Sequence, residues 1–267
     1  MKTIVITGLD GTGKSTVLQA LKAQAPGAAR AIVHAPEMDL EPLHKQPDVF
    51  RAARLVNQLN HDADRLAFPQ LKAVALFAAM LLFEKLLQPV RERQGPAALC
   101  ERHPLIDTSV YAQFYANKLS PDAVSARNTE PLERGNEAEW AYLLSLLPQD
   151  WAAPQNEGPV RVFMRFIYDR FHLQQRHQLS GLIGLFKLPL PDKVFFLQAP
   201  AKVLFARLQQ RGVLEAHESL AALSMLEKAY QQHLQAFEAA APGRLEIIDA
   251  TSQTAMAALL PKLAAFL

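Results

Sequence analysis

Gly8-Leu9-Asp10-Gly11-Thr12-Gly13-Lys14-Ser15 fits the pattern G-x-x-x-x-G-K-[ST], and how it is read decides the rest of the chain. Glycines at these spacings let the backbone turn tightly, so that successive N–H groups point inward and cradle a phosphate. A helix starting directly after the loop adds its positive end to the same anion. Lys14 then reaches the β- and γ-phosphates and Ser15 ligates Mg2+. The nucleotide-binding set is Gly8, Asp10, Gly11, Thr12, Gly13, Lys14, Ser15 and Thr16. The motif requires a strand before it and a helix after it. Thr3-Ile4-Val5-Ile6-Thr7 is a short β-branched run of the kind that forms a buried parallel strand, and Thr16 to Gln24 reads as a helix.

Composition bounds what surrounds this loop. The chain has 267 residues, half of them hydrophobic (50%), enough to bury a large core as one big domain or two small ones; the expectation is a single domain over residues 1–267 with an insertion at about 118–190. Lys+Arg 28 against Asp+Glu 26 leaves a formal charge of +2, which excludes a bulk electrostatic case for nucleic acid or an anionic membrane. The single cysteine, Cys100, excludes an intramolecular disulfide framework and fits a reducing compartment. Gly8 to Ser15 interrupts the apolar N-terminal run before a signal peptide can form, and the longest apolar stretch, Ala73 to Phe83, is too short to span a bilayer. These features place the expected protein in the cytoplasm.

Downstream, Pro26 and Gly27 break the first helix, and Ala31-Ile32-Val33 reads as a second strand leading to Glu37. In open parallel α/β sheets ligands sit beyond the carboxyl ends of the strands, so Glu37 is expected either at the phosphate crevice or in an exposed loop. Leu40 to Gln46 reads as loop and Val49 to Leu59 as helix. Pro69 to Arg93 reads as one long buried crossover helix before a third strand, Ala97 to Cys100. Glu101 and Arg102 close that strand, a carboxylate able to hold Mg2+ through water or accept a proton, and a guanidinium suited to bidentate phosphate recognition. Asp107 to Asn117 follows as helix.

Lys118 to Leu190 has few strand signals and reads as a long insertion. Within it Glu130 to Gly135 is a charged loop, Glu137 to Leu147 a helix, and Val160 to Leu173 a helix alternating Phe163, Phe166 and Phe171 with Arg161, Arg165 and Arg170. Such a helix is either a base-and-phosphate or partner surface, or core with a solvated basic face. Regular α/β order returns with a strand at Asp192 to Leu197 and a helix at Ala201 to Arg211. Arg207 and Arg211 lie four apart on that helix and are candidates for a lid over a transferred phosphoryl group. Leu214 to Ala239 reads as helix, Leu245 to Ile248 as a fifth strand, and Ala255 to Leu267 as a helix kinked or ended near Pro261.

Four separated stretches resemble thymidylate kinase and, more loosely, the deoxynucleoside kinases. They are Gly8 to Thr16; Leu76-Phe77-Ala78-Ala79; Glu101-Arg102-His103 followed by Ser109-Val110-Tyr111-Ala112-Gln113; and Pro191-Asp192 through Gly212. The resemblance implies a P-loop NTPase fold of three α/β/α layers around a five-stranded parallel sheet, ATP with Mg2+ as phosphoryl donor, a small-molecule nucleotide or nucleoside as acceptor, and a homodimer. It implies that Lys14 and Ser15 bind the donor, Arg102 the acceptor phosphate, Phe77 the base and Asp10 the acceptor sugar side. Tyr111 and Gln113 join the acceptor site, and Arg207 and Arg211 are delivered by the lid. The chain also departs from the family. Leu81 stands where thymidylate kinases carry an arginine that reads the thymine edge. Glu101 replaces aspartate, as in deoxynucleoside kinases, where a glutamate at the end of the second strand is the general base, a place Glu37 matches.

The expected activity is transfer of the γ-phosphoryl group of ATP to a nucleoside monophosphate resembling dTMP, with Lys14, Glu101, Arg102, Arg207 and Arg211 as the catalytic set. A nucleoside kinase using Glu37 as base, and a nucleotide-binding scaffold without turnover, are the alternatives.

Overall fold

A computed structural model describes residues 1–24, 32–35, 37–116, 119–120, 126–172, 178–212, 214 and 218–267. The expected break at Pro26-Gly27, and Ala31, Pro36, Asn117, Lys118 and Leu173 at the edges of expected elements, lie outside these residues.

The chain divides into two compact units. The first comprises Met1–His34, Leu86–Asp107 and Pro189–Leu267; the second comprises Ala35–Lys85 and Thr108–Leu188. The first is built on five strands, β1 (Lys2–Gly8), β2 (Ile32–His34), β3 (Ala97–Glu101), β4 (Lys193–Gln198) and β5 (Leu245–Asp249). They form one sheet in the order β2-β3-β1-β4-β5, and every pairing is parallel. Ile4, Val5 and Ile6 at its centre are wholly buried, as a β-branched run covered on both faces should be.

Helix α1 (Lys14–Gln24) returns the chain from β1 toward β2. On the other side of β1, helices α9 (Ala201–Gln210) and α10 (Leu220–Ala240) connect β4 to β5. Right-handed crossovers running in opposite directions from the central strand put these connections on opposite faces, giving three layers. The closing helix α11 (Gln253–Ala264) packs against α1. It runs through Pro261 rather than ending there, and its start is set by Ser252, whose hydroxyl accepts from the Ala255 N–H. Ser219 caps α10 in the same way, which places that helix six residues later than the apolar pattern indicates.

The second unit is helical. It contains α2 (Pro47–Arg65), most of α3 (Pro69–Glu92), the later part of α4 (Pro104–Ala116), α5 (Ala126–Glu133), α6 (Glu137–Ser145), α7 (Pro159–Phe171) and α8 (Leu179–Phe186). Helix α3 is long and apolar enough to cross a membrane, but 78% of its apolar window is buried inside the fold. A short 3₁₀ turn, Glu41–Leu43, lies inside the expected loop. Helix α5 replaces part of the expected charged loop, and α8 accounts for the glycine-containing apolar run at Ser180 to Phe186.

Candidate active site

The sheet register brings the chemistry-bearing residues of the first unit to one edge. Ile6 pairs with Glu101, Gly8 with Leu197, and His34 with Glu101, so the P-loop starts where β2, β3 and β4 end. Gly8 has φ +148°, and a Cβ there would lie 2.4 Å from the Leu197 carbonyl oxygen. Only glycine lets β1 pass β4 this closely while turning into the loop. Gly11 and Gly13 also sit at positive φ.

Lys14 is 5% exposed, and its ammonium donates to the carbonyls of Gly8 (2.9 Å) and Leu9 (3.1 Å), with an Asp10 carboxylate oxygen at 3.5 Å. Burial holds this amine below the ordinary lysine range; the charge of Asp10 opposes that, and Arg102 adds to it. Arg102 is 8% exposed and donates from Nη2 to Asp10 at 2.9 Å. Its backbone has φ +68°, a left-handed conformation that non-glycine residues adopt at an energetic cost and that clusters at functional sites. Asp10 thus bridges the two cations.

Glu101 is two-sided. Burial pushes its carboxyl up, but a hydrogen bond from His34 and the charges of Lys14 and Arg102 outweigh burial and hold it below the usual carboxylate range. His34 Nδ1 lies 2.8 Å from Glu101 Oε2, and Lys22 Nζ lies 3.1 Å from His34 Nε2.

Beneath the loop, Asp107 is 1% exposed and accepts from the Thr7 hydroxyl (2.5 Å), the Tyr230 hydroxyl (2.6 Å) and the His103 N–H (2.7 Å). Arg102 Nη1 stands 4.0 Å from the same carboxylate. The His103 ring accepts from the Leu105 N–H, so this histidine and Asp107 together cap α4 and start it three residues before the expected boundary. Burial lowers the His103 ring to about 3.

Arg207 donates to two main-chain carbonyls, Gly11 (3.1 Å) and Ala250 (3.0 Å), and so ties α9 to the P-loop and to the turn after β5. Arg211 Nη2 donates to both carboxylate oxygens of Glu218 at 2.6 Å, and Arg211 is half exposed. Ser15 and Thr16 are exposed at the start of α1. Asp10, Lys14, Glu101, Arg102 and Arg207 are therefore gathered at the loop, while Arg211 is turned to a partner of its own.

Glu37, Phe77, Tyr111 and Gln113 belong to the second unit. Glu37 and Gln113 are exposed; Tyr111 is buried. Phe77 is 3% exposed and enclosed by Phe166 (5.4 Å between centroids), Phe171 (6.0 Å), Phe186 (6.1 Å) and Phe163 (6.5 Å). The basic residues of α7 lie outside that cluster. Arg161 and Arg165 pair with Glu157, and Arg170 donates to the Gly181 carbonyl. Of the two readings of this helix, core with a basic face is the observed one. A cavity of about 730 Å³ opens between the end of α2 and α5, and none of Glu37, Phe77, Tyr111 and Gln113 lines it.

Sequence reasoning passed over His34, Lys22 and Asp107. The available signal for His34 was its place at the carboxyl end of β2, three residues before Glu37.

The oxygen donors at the loop suit Mg2+. Ser15 offers a hydroxyl and Glu101 an ionised carboxylate, both hard ligands. Among the described residues there is no group of three or more His, Cys, Asp or Glu that could hold a metal ion.

Comparisons with known proteins bear on the fold. No curated protein matches the sequence. Among solved structures, deoxyadenosine kinase from M. mycoides, determined with dCMP and dCDP bound, superposes with a TM-score of 0.50 at 14% identity, covering 98% of this chain and 99% of that one. Thymidylate kinase from Candida albicans superposes with a TM-score of 0.52 at 16% identity, covering 99% and 89%. At such identities the likeness establishes the fold, a P-loop fold of the nucleotide-kinase and deoxynucleoside-kinase type. Residues 3–155, more than half of the chain, match the AAA domain family, and the chain belongs to that family.

Proposed function

We propose that this chain is an ATP-dependent kinase that transfers the γ-phosphoryl group to a nucleoside monophosphate resembling dTMP. The observation that carries the reading is the cluster of Lys14, Arg102, Asp10 and Glu101 at the P-loop, two buried cations held beside two carboxylates. Buried charge costs several kcal/mol per ion unless compensated, so its retention beside a phosphate cradle points to chemistry.

In this reading Lys14 exchanges the carbonyls of Gly8 and Leu9 for phosphate oxygens and stabilises charge on the transferred group. Arg102 binds the acceptor phosphate, and Asp10 holds its guanidinium in place. Glu101, kept ionised, orients water on the cation, and the Ser15 hydroxyl supplies a direct ligand. Held by Ser15 and, through water, by Glu101, Mg2+ would supply charge neutralisation for the transferred group. Arg207 secures the loop through Gly11, and Arg211 reaches the phosphates only by leaving Glu218.

A nucleoside kinase is the second reading, favoured by one observation: Glu101 ends β3 beside the P-loop, a position from which a carboxylate can accept a hydroxyl proton, although its lowered pKa makes it a weak base. Glu37 is the rival base under that reading. ATP consumption with Mg2+ on dTMP and on thymidine, with Lys14→Ala as blank, separates the two. Turnover on dTMP supports the first reading. Turnover on thymidine alone overturns it, and Glu37→Gln and Glu101→Gln then decide which carboxylate is the base. Nucleotide binding without turnover on any acceptor would instead support the scaffold.

A further inference from the structure

Three titratable side chains from three elements of the first unit stand in line beside the P-loop, and only the last has a role above. Lys22 of α1 lies 3.1 Å from His34 Nε2, and His34 Nδ1 lies 2.8 Å from Glu101 Oε2. An ammonium donates and cannot accept. His34 Nε2 therefore carries the lone pair, and the ring proton sits on Nδ1, facing the carboxylate. His34 and Glu101 are register partners on adjacent parallel strands, so the sheet itself fixes the contact. Neither is a loose surface group: their side chains are 22% and 16% exposed.

We infer that His34 is a positioning residue for Glu101: its Nδ1–H engages Oε2, which leaves Oε1 to face the cation's water, and Lys22 holds the ring in the one tautomer able to do this. The inference rests on the reading of Glu101 as the acid that orients water on Mg2+. It goes beyond that reading by giving the acid a fixed orientation and by assigning the orientation to two residues outside the P-loop. Partners that orient a carboxylate near a cation are typically worth about 10- to 100-fold in metal affinity.

The test measures, on the full chain, the Mg2+ concentration that half-maximally tightens ADP binding, with ADP affinity in EDTA and the thermal midpoint as controls. His34→Ala is expected to raise the Mg2+ requirement about tenfold while leaving ADP affinity in EDTA unchanged. His34→Asn, whose amide N–H falls near the place of Nδ1, should recover most of the loss. In a Glu101→Gln background His34→Ala should add nothing, because the group it positions no longer binds. If His34→Ala does not fold, Lys22→Met serves instead. That variant keeps ring and carboxylate but frees the tautomer, and a rise of about threefold is expected.

The inference is overturned by an unchanged Mg2+ requirement in His34→Ala, or in Lys22→Met where that variant stands in. It is equally overturned if Asn behaves like Ala, if the losses in the two backgrounds are equal, or if wild-type ADP affinity ignores Mg2+. Failure of the kinase reading looks different: the wild type would bind Mg2+ and ADP yet transfer phosphoryl to no nucleotide or nucleoside. The Mg2+ titration would still decide what His34 does.

Discussion

In the first unit, charge is drawn inward: Lys14, Arg102 and Asp107 are 5%, 8% and 1% exposed, and each is held by specific partners around the P-loop. On α7 of the second unit the opposite sorting holds. Arg161 and Arg165 of α7 stay outside against Glu157, and Phe163, Phe166 and Phe171 from the same helix go in around Phe77. Burying a phenylalanine is favourable by a few kcal/mol, whereas burying an ion is costly even when paired. Helix α7 therefore has the sorting of a stable core, whereas the cluster at the P-loop gives up stability to keep charges beside the glycine loop. The lesson is that exposure of the charges, more than their number, separates site from core.

That contrast can be broken most forcefully at Phe77. Phe77→Ala should destabilise the protein by about 3–5 kcal/mol, read by denaturant unfolding, with ADP affinity of the folded fraction unchanged. A phenylalanine that served mainly as a platform for a base would show the reverse, weak destabilisation and a large loss of acceptor affinity. Gly8→Ala is next. A Cβ against the Leu197 carbonyl at the loop's first residue should cost about 3 kcal/mol. A near-neutral result would mean the loop geometry is not constrained as described.

A pH limb sharpens the comparison further. His233 is buried, and burial holds its ring below the ordinary histidine value of 6.5 despite a hydrogen bond to Leu105 O and the charge of Asp107. Its folded pKa is depressed, so the stability it contributes is fully present above 6.5 and is lost as pH falls below that value toward the folded one. His233→Gln, which retains an N–H donor for Leu105 O, should flatten the decline of stability as pH falls below 6.5. The smallest effect is expected at the surface of α7. Arg165→Ala should change stability by less than about 1 kcal/mol, and 1 M NaCl should remove most of the difference from wild type.

Much of this was legible in the sequence where the signal is local. The β1 run, the glycine loop and α1 follow from β-branched content and glycine spacing, and α3, built around the apolar run Ala73 to Phe83, ends within one residue of its expected end although Pro89 lies inside it. The five parallel strands follow from the same alternation of elements. Less legible were short helices that carry their own breakers: α5 contains Pro131, and α8 contains Gly181 and Gly184. Both lie in the helical second unit, where long-range packing can override propensity. At the site, Glu101 and Arg102 were found by position. His34 was missed because its importance depends on the β2–β3 register, which no window of sequence reveals. Arg207 was found but expected over a phosphoryl group, and the structure has it on the Gly11 and Ala250 carbonyls.

The most direct test of the central claim is a calorimetric titration of ATP with Mg2+ into the wild type and into Lys14→Ala, each first shown to unfold at a similar temperature. The account predicts binding by the wild type that weakens by about 100-fold or more in the variant, as loss of a buried, charge-assisted phosphate contact requires. Equal affinity in the two proteins would contradict it, because the buried ammonium would then be part of the core and Gly8 to Ser15 a glycine-rich turn without a ligand.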